Sequence, residues 1–303
     1  MPPATCRPEG MDQLWLPLTL ISAVSLAASD ALTKKALSRY NEYLVIWLRI
    51  LLALPFLLPA LLTEPLPSLA PGYYRAFFAS LVLEVIATFL FMKALKLSPM
   101  SLTLPFLSLT PVFLLGIPLL LLGETIAPAG AMGIVLIALG SYLLNIDELK
   151  RGGVLAPLLA IRREPGVLCM IGVAFIYSFT STLGKLSITF SSPLFFAVTY
   201  YAALAAALAP AALYKGRHEL RREPLAGILR AMLLPAVLNA VMVISHVVAI
   251  NMTNVAYMIS VKRTSLLFGV IFGHFLFKEG NLRERLTGGA VMVAGAALIL
   301  LGD

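Results

Sequence analysis

Long apolar runs alternate with short polar connections along the whole chain. Ten runs can be placed, and they cover residues 14–32, 43–62, 73–92, 100–122, 127–144, 166–186, 193–213, 225–250, 255–277 and 286–301. A transmembrane helix needs about 20 predominantly apolar residues, and these runs come close to or exceed that length. The pattern predicts an all-α integral membrane protein with ten transmembrane helices. Pro105, Pro111 and Pro118 fall inside the fourth run, where they are expected to break the helix.

The second half of the chain repeats the first. A shift of 155 residues aligns 73–143 with 228–298 without a gap, and a shift of 151 aligns the earlier runs. Charged and small residues coincide in pairs, which are Arg75 and Arg230, Glu124 and Glu279, Gly133 and Gly288, Gly140 and Gly295, and Lys34 and Lys185.

This duplication predicts the domain organisation. We expect a short leader over 1–13, a first five-helix repeat over 14–144, a polar linker over 145–165 and a second repeat over 166–303. Because five is odd, the two repeats must cross the membrane in opposite orientations. Inverted repeats are a common plan of secondary transporters, whose site lies near the midplane.

The composition is that of a membrane protein: 60% of the residues are hydrophobic and 13% charged, with a net charge of +8. The connections after the odd-numbered runs hold sixteen Lys or Arg residues, whereas the opposite side has Arg7 and Arg75. The positive-inside rule therefore predicts a plasma or inner membrane protein with both termini outside the cytoplasm. No basic patch with interleaved aromatic residues indicates nucleic-acid binding. Cys6 and Cys169 form no metal or redox motif, so we expect no cofactor and no metal.

Lys262 and Arg263 stand side by side within the ninth run. A cation near the middle of a membrane helix costs about 2.5–3.5 kcal/mol, so an adjacent pair needs partners or a wet cavity. Arg can grip a carboxylate or phosphate bidentately and Lys adds a compact charge, which makes an anionic solute the expected ligand. On an ideal helix Lys262 shares one side with Ser265, Gly269 and Gly273, a stripe that favours close helix packing. The alternative is that both cations only pair with buried acids or backbone carbonyls.

Glu84, midway along the third run, is the main candidate for such an acid. The repeat aligns it with Asn239, so both halves carry a polar group at equivalent depth. Glu84 is expected either to neutralise Lys262 or Arg263, or to take up a proton and couple transport to pH.

Two further cations lie at the ends of the first and sixth runs. Lys34 has Asp30 four residues earlier, an order that favours an intrahelical pair. Its counterpart Lys185 has Ser181 at that place, lacks the local partner, and is therefore the better candidate ligand. With Arg49 in the second run, the bundle interior would carry excess positive charge. Other candidates, either to line a cavity or to anchor at the membrane interface, are Tyr200, Tyr201 and Tyr257, whereas His246 is expected to be a packed hydrogen-bonding group.

The order of several short motifs gives a family resemblance. These are Lys34, Arg49, Pro111 with Gly123-Glu124 and, in the second half, Lys185 and Lys278-Glu279. Together with the ten-helix plan, they resemble the drug/metabolite transporter superfamily in its EamA-type branch. The resemblance implies a secondary transporter of metabolites with a cavity between the two halves. Residues 259–265 also resemble the Lys-Arg segment of plastid triose-phosphate translocators, which implies that Lys262 and Arg263 bind phosphate.

The sequence therefore predicts a secondary transporter of a small, anionic organic solute by alternating access. The candidate solute-binding residues are Lys262, Arg263, Lys185, Tyr257, Ser181, Ser265 and Asn239, and the charge-balancing or coupling residues are Glu84, Asp30 and Arg49. The alternative is an exporter of amino acids or of neutral or cationic compounds, with the buried charges locked in ion pairs. A channel or scaffold is a further alternative, and an intramembrane enzyme would need a motif such as HExxH, which does not occur. The sequence is compatible with either a monomer or a homodimer.

Overall fold

The structure, a computed structural model, describes residues 14–98, 103–144, 164–222, 224–277 and 282–302. The first half contains α1 (Trp15–Leu37), α2 (Glu42–Leu51, continued by Leu54–Leu57 and the 3₁₀ helix Leu58–Thr63), α3 (Tyr73–Leu97), α4 (the 3₁₀ helix Leu104–Leu109, then Thr110–Phe113 and Ile117–Leu122) and α5 (Pro128–Leu143). The second half contains α6 (Pro165–Thr189), α7 (Pro193–Lys215), the short connecting helix Arg217–Arg222, α8 (Leu225–Met252), α9 (Val255–Lys262 and Ser265–Phe277) and α10 (Leu282–Gly302). Each of the ten predicted helices has its counterpart here. The predicted leader, most of the predicted linker, and Lys278 and Glu279 lie outside the described residues.

The prolines of α4 divide that helix, as expected. Pro105, Pro111 and Pro118 each stand in the first two positions of one of its three pieces, because proline lacks the amide hydrogen that an unbroken helix needs. The last piece ends at Gly123, whose φ of 70° lies in the left-handed region. A glycine adopts this conformation without steric cost, and it directs the chain into the connection that begins with Glu124.

Corresponding helices of the two halves occupy equivalent places. The first helix of each half packs on the third helix of the other, α1 on α8 and α6 on α3. The hydrogen bonds repeat too: the Ser29 hydroxyl donates to the Pro235 carbonyl (2.8 Å), and Ser80 donates to the Thr180 carbonyl (3.3 Å). The repeat shifts place Ser29 on Thr180 and Ser80 on Pro235, so both bonds occupy the same position of the pseudosymmetric frame.

The fifth helices, α5 and α10, meet along glycines. A Cβ atom at Gly133 would lie 2.5 Å from the Gly295 carbonyl oxygen, and one at Gly140 would lie 2.6 Å from the Gly288 oxygen. Gly133 faces the later glycine of α10 and Gly140 the earlier one, so the two helices run antiparallel. Since α5 and α10 are corresponding helices, the two halves are inverted relative to each other.

The outer surface of the bundle is apolar. By length and composition, seven helical stretches can each span a membrane, and three shorter apolar helices, Phe106–Leu122, Pro128–Leu143 and Leu286–Leu301, bring the described set to ten. Large side chains such as Leu120, Phe275 and Leu301 are exposed on the outside, whereas many Ser and Thr side chains are buried inside. This is the arrangement of a multi-pass membrane protein, in which lipid is the surrounding solvent.

The glycine contacts predict opposite effects for one substitution at two sites. Gly133→Ala forces a methyl group into the α10 backbone and should destabilise the protein by about 1–3 kcal/mol. Gly269→Ala is the matched control, since a Cβ at that helical position meets nothing within 4 Å, and it should be neutral or stabilising by about 0.5–1 kcal/mol. Thermal unfolding of the purified, detergent-solubilised variants should show a lower melting temperature for Gly133→Ala and an unchanged or higher one for Gly269→Ala. Equal melting temperatures for the two variants would contradict the close approach of α5 and α10.

Candidate functional site

A cavity of about 270 Å³ lies between the two halves. It is lined by side chains from α1, α3 and α4 of the first half and from α6, α7, α8 and α9 of the second. Its polar wall includes Glu84, Tyr177, Lys185, Lys262 and Arg263. A cavity of this size suits a small solute.

The charged pair of α9 stands where that helix breaks. The first piece of α9 ends at Lys262, Arg263 and Thr264 form a turn, and the second piece begins at Ser265. The Thr264 amide donates to the Val261 carbonyl and the Leu266 amide to the Arg263 carbonyl, both spanning three residues. Lys262 and Arg263 both line the cavity.

This break corrects the expected continuous stripe. Lys262 and Ser265 do not belong to one unbroken helix, although both line the cavity. The expected close packing also fails at Gly269, where a Cβ would meet open space. The stripe was deduced from ideal helix geometry, which does not hold across the turn.

Uncharged groups approach the Lys262 ammonium. Its Nζ lies 3.1 Å from Nδ1 of His246 and 3.3 Å from the Met242 sulfur. The first contact is attractive when Nδ1 accepts, which requires a neutral imidazole with its proton on the other nitrogen. His246 is therefore a packed hydrogen-bonding group, as expected, and it also lines the cavity.

In the described part of the chain, no carboxylate lies within salt-bridge distance of Lys262 or Arg263. The Arg263 Nε is buried and has no hydrogen-bond partner among these residues. Glu84 lines the same cavity, with Thr180 and Lys262 as its electrostatic neighbours, but it does not form the contact ion pair considered from the sequence. The two cations thus face the cavity with capacity for a further acceptor.

Lys185 differs from expectation, because it has a partner. Its ammonium pairs with Glu124 and also donates to the Thr253 carbonyl at 2.7 Å. The other Glu124 oxygen accepts from the Val255 amide at 2.9 Å. Glu124 follows α4 and is 61 residues away in sequence, so a search for partners one helical turn away misses it. Lys185 nevertheless lines the cavity.

Asp30 and Arg49 form an ion pair of their own, with Arg49 Nη1 2.5 Å from Asp30 Oδ1. This is a different partner from the Lys34 expected by helical spacing, and the Asp30–Lys34 pair stays a prediction. Neither Asp30 nor Arg49 is among the described residues that line the cavity.

The remaining candidates divide into those on the wall and those behind it. Ser181 and Ser265 line the cavity. Asn239 is buried behind it, and its amide donates to the Tyr201 hydroxyl at 3.4 Å. Tyr257 is not brought to the cavity: it is 1% exposed and its hydroxyl accepts from the Ala127 amide at 3.2 Å.

Tyr177 was absent from the residues predicted to line a cavity, whereas Tyr200 and Tyr201 were among them. Tyr177, Tyr200 and Tyr201 all line the cavity, and Tyr200 exchanges a hydrogen bond with Ser80 at 3.1 Å. Tyrosines also anchor helices at membrane interfaces, so their type alone does not reveal which ones face inward. Among the described residues, three cations, Lys185, Lys262 and Arg263, thus share a wall with one carboxylate, Glu84. Since Glu124 offsets Lys185, the excess positive charge rests on the α9 pair and suits an anion.

Comparisons with known proteins agree with this architecture. A solved crystal structure of a protein superposes on the chain with a TM-score of 0.71, covering 94% of this chain and 97% of that one at 18% sequence identity, a similarity that shows the fold. The chain matches no curated protein. The EamA-like transporter family matches it twice, over residues 13–146 and 164–301. With both halves of the ten-helix bundle matched, the chain belongs to the EamA-like transporter family, whose members are multi-pass membrane transporters and not enzymes.

Proposed function

We propose that this transporter moves a small anionic solute, a phosphorylated or carboxylate compound, by alternating access of the central cavity. Lys262 and Arg263 would hold the anionic group. The observation that carries the proposal is that these adjacent cations line the cavity with no carboxylate of the described residues within 4 Å. Charges that served only structure would require partners at this depth. The resemblance of residues 259–265 to triose-phosphate translocators supports the same ligand chemistry.

The rest of the wall suits the organic part of such a solute. Phe196 and Tyr200 stack with their ring centroids 4.9 Å apart and both face the cavity, as does Ile259. Ser181 and Ser265 are candidate hydrogen-bonding partners for hydroxyl groups. Asn239 acts indirectly in this proposal, by orienting Tyr201.

A solute that also carries an amino group is the second candidate. Glu84 favours it, because this carboxylate lines the cavity and has no cation within salt-bridge distance among the described residues. An amino acid would place its carboxylate on the α9 pair and its ammonium on Glu84. For a solute without an amino group, Glu84 balances the charge of Lys262 in the empty carrier.

The proposal includes an orientation in which the connections α1–α2, α3–α4 and α7–α8 face the cytoplasm. The cations at these places are exposed and do not point into the bundle; they include Lys34, Lys35, Arg39, Lys93, Lys96, Lys215 and Arg217. Lys96 at the end of α3 lies 3.0 Å from Glu42 at the start of α2, so two of these connections share one face.

Neutralising the α9 pair should abolish recognition of anions. A thermal-shift screen with phosphorylated metabolites, carboxylates and amino acids first identifies a stabilising compound. Each of Lys262→Gln and Arg263→Gln should then weaken its binding by about 10–100-fold, since a hydrogen bond to a charged group contributes about 1.5–3 kcal/mol. Equilibrium binding to purified protein measures the change. Lys215→Gln, at an exposed cation away from the cavity, is the control, and unchanged binding in both α9 variants would defeat the ligand assignment.

Glu84→Gln separates the two solute classes. A carboxylate about 8 Å from a bound anion opposes it by about 2 kcal/mol at an effective dielectric constant of about 20, so its removal should tighten a plain anion at least about tenfold. The same variant should weaken an amino acid, which loses its ammonium partner. Binding constants should show tighter binding of succinate and weaker binding of the best amino acid of the screen. If neither constant changes, Glu84 does not contribute to the site.

The orientation is tested by labelling single cysteines in a Cys6→Ala/Cys169→Ala background. An impermeant maleimide added to intact cells should label Glu64→Cys, in the α2–α3 connection, because this exposed position is expected outside. Lys35→Cys should react only after the membrane is permeabilised. The reverse pattern would invert the proposed orientation.

A further inference from the structure

The pair formed by Lys185 and Glu124 belongs to a larger cluster at one end of the cavity. Lys185 binds the Thr253 carbonyl as well as Glu124, which in turn accepts from the Val255 amide. Beside them the Asn254 amide group donates to the Thr125 carbonyl at 3.2 Å. We call Lys185, Glu124, Thr253 and Val255 the latch.

The latch joins the two halves of the protein. Glu124 lies in the α4–α5 connection of the first half, whereas Thr253 and Val255 belong to the α8–α9 connection of the second. The Lys185 and Glu124 side chains are only 15% and 13% exposed, so solvent does not easily replace either partner. If the latch opened with nothing else to bind, a buried ammonium and a buried carboxylate would both be left uncompensated. The latch therefore holds the α4–α5 and α8–α9 connections together.

Lys185 is the one member of the latch that also lines the cavity. Along α9, Val255 and Lys262 are seven residues apart, which corresponds to roughly 10 Å of helix. A small solute held by the α9 pair is thus within reach of the Lys185 side chain. An anionic group of the solute and the carboxylate of Glu124 would compete for the same ammonium.

We propose that Glu124 is an internal competitor of the solute and that binding of an anion to Lys185 releases Glu124 and opens this end of the cavity. The inference rests on the proposed function, because it requires an anionic solute. In the loaded carrier Lys185 keeps a negative partner, so breaking the latch no longer strands its charge. In the emptied carrier Glu124 returns and the end closes. Occupancy of the cavity thereby controls access, and the empty protein does not leak.

Accessibility of one cavity position tests the closed state without any solute. Ile188→Cys lies one turn beyond Lys185 and lines the cavity; it is introduced into the Cys6→Ala/Cys169→Ala protein in proteoliposomes. An impermeant maleimide is supplied on each side of the membrane in turn. Adding Glu124→Gln should raise the labelling rate from one side at least tenfold. Glu42→Gln, which breaks an exposed Lys–Glu pair away from the cavity, should leave the rate unchanged.

Exchanging the charges of Lys185 and Glu124 distinguishes the effect of losing their ion pair from the effect of damage to the fold. The double variant Lys185→Glu/Glu124→Lys restores the ion pair but not the bonds to the Thr253 carbonyl and the Val255 amide. It should therefore recover part of the melting temperature and of the slow labelling that Glu124→Gln loses. Inorganic phosphate or succinate should not open it, because the cavity now faces a carboxylate at position 185. Labelling of a folded exchange variant as fast as that of Glu124→Gln, or slow labelling of Glu124→Gln, would overturn the latch.

Adding anions tests whether the solute and Glu124 compete for Lys185. Inorganic phosphate and succinate should speed labelling of the protein with native Lys185 and Glu124 from the same side that Glu124→Gln opens. Glu124→Gln should also bind the more effective anion at least fivefold more tightly, since its competitor is gone, while Lys185→Gln should bind it more weakly. If Glu124→Gln opens the cavity but binds no more tightly, the displacement step is refuted. If neither anion binds any variant, the proposed function fails, and the solute-free labelling shows independently whether the latch closes this end.

Discussion

The structure depends on one constraint: Lys262 and Arg263 are adjacent cations inside a membrane protein, and no carboxylate of the described residues lies within salt-bridge distance of them. Lys262 and Arg263 are tolerable at this depth because they face a cavity and not lipid. The cavity exists because two five-helix halves meet there. Both side chains line its wall at the point where α9 breaks.

The helices around the cavity pack with pseudosymmetry, whereas the charged residues that line it do not follow that symmetry. The contacts of α1 with α8 are repeated by α6 with α3, and the glycines of α5 and α10 meet in a reciprocal register. The positions of the first half that correspond to Lys262 and Arg263 are Leu107 and Ser108, and the counterpart of Glu84 is Asn239. Duplication thus supplied the inverted scaffold on which alternating access depends. Divergence of a few positions then concentrated cations on α9 and left one carboxylate on α3.

Charge balance also explains why the cations of the interior play different roles. Arg49 is held by Asp30, Lys185 is shared between Glu124 and a backbone carbonyl, and Lys262 has the His246 imidazole beside it. In the proposed function, the cations without a carboxylate within salt-bridge distance are the ones that accept the solute anion. Glu124 stands between the two roles, because its lysine belongs both to the contact that closes one end and to the cavity wall.

The sequence by itself determined the membrane class, the ten helices, their duplication and the presence of two adjacent cations inside α9, because each of these depends on composition and on spacing along the chain. It also identified the broken α4, since proline acts locally.

Only the tertiary structure decided which partner each charge has. Glu124 reaches Lys185 and Ser29 reaches Pro235 across long stretches of chain, and helical spacing carries no information about such contacts. For the same reason Tyr257 proved to be packed behind Ala127 and not exposed to the cavity, while Tyr177 and His246 joined its wall. Which face of a helix points inward depends on how the helices pack against one another, and that is fixed only when both halves come together.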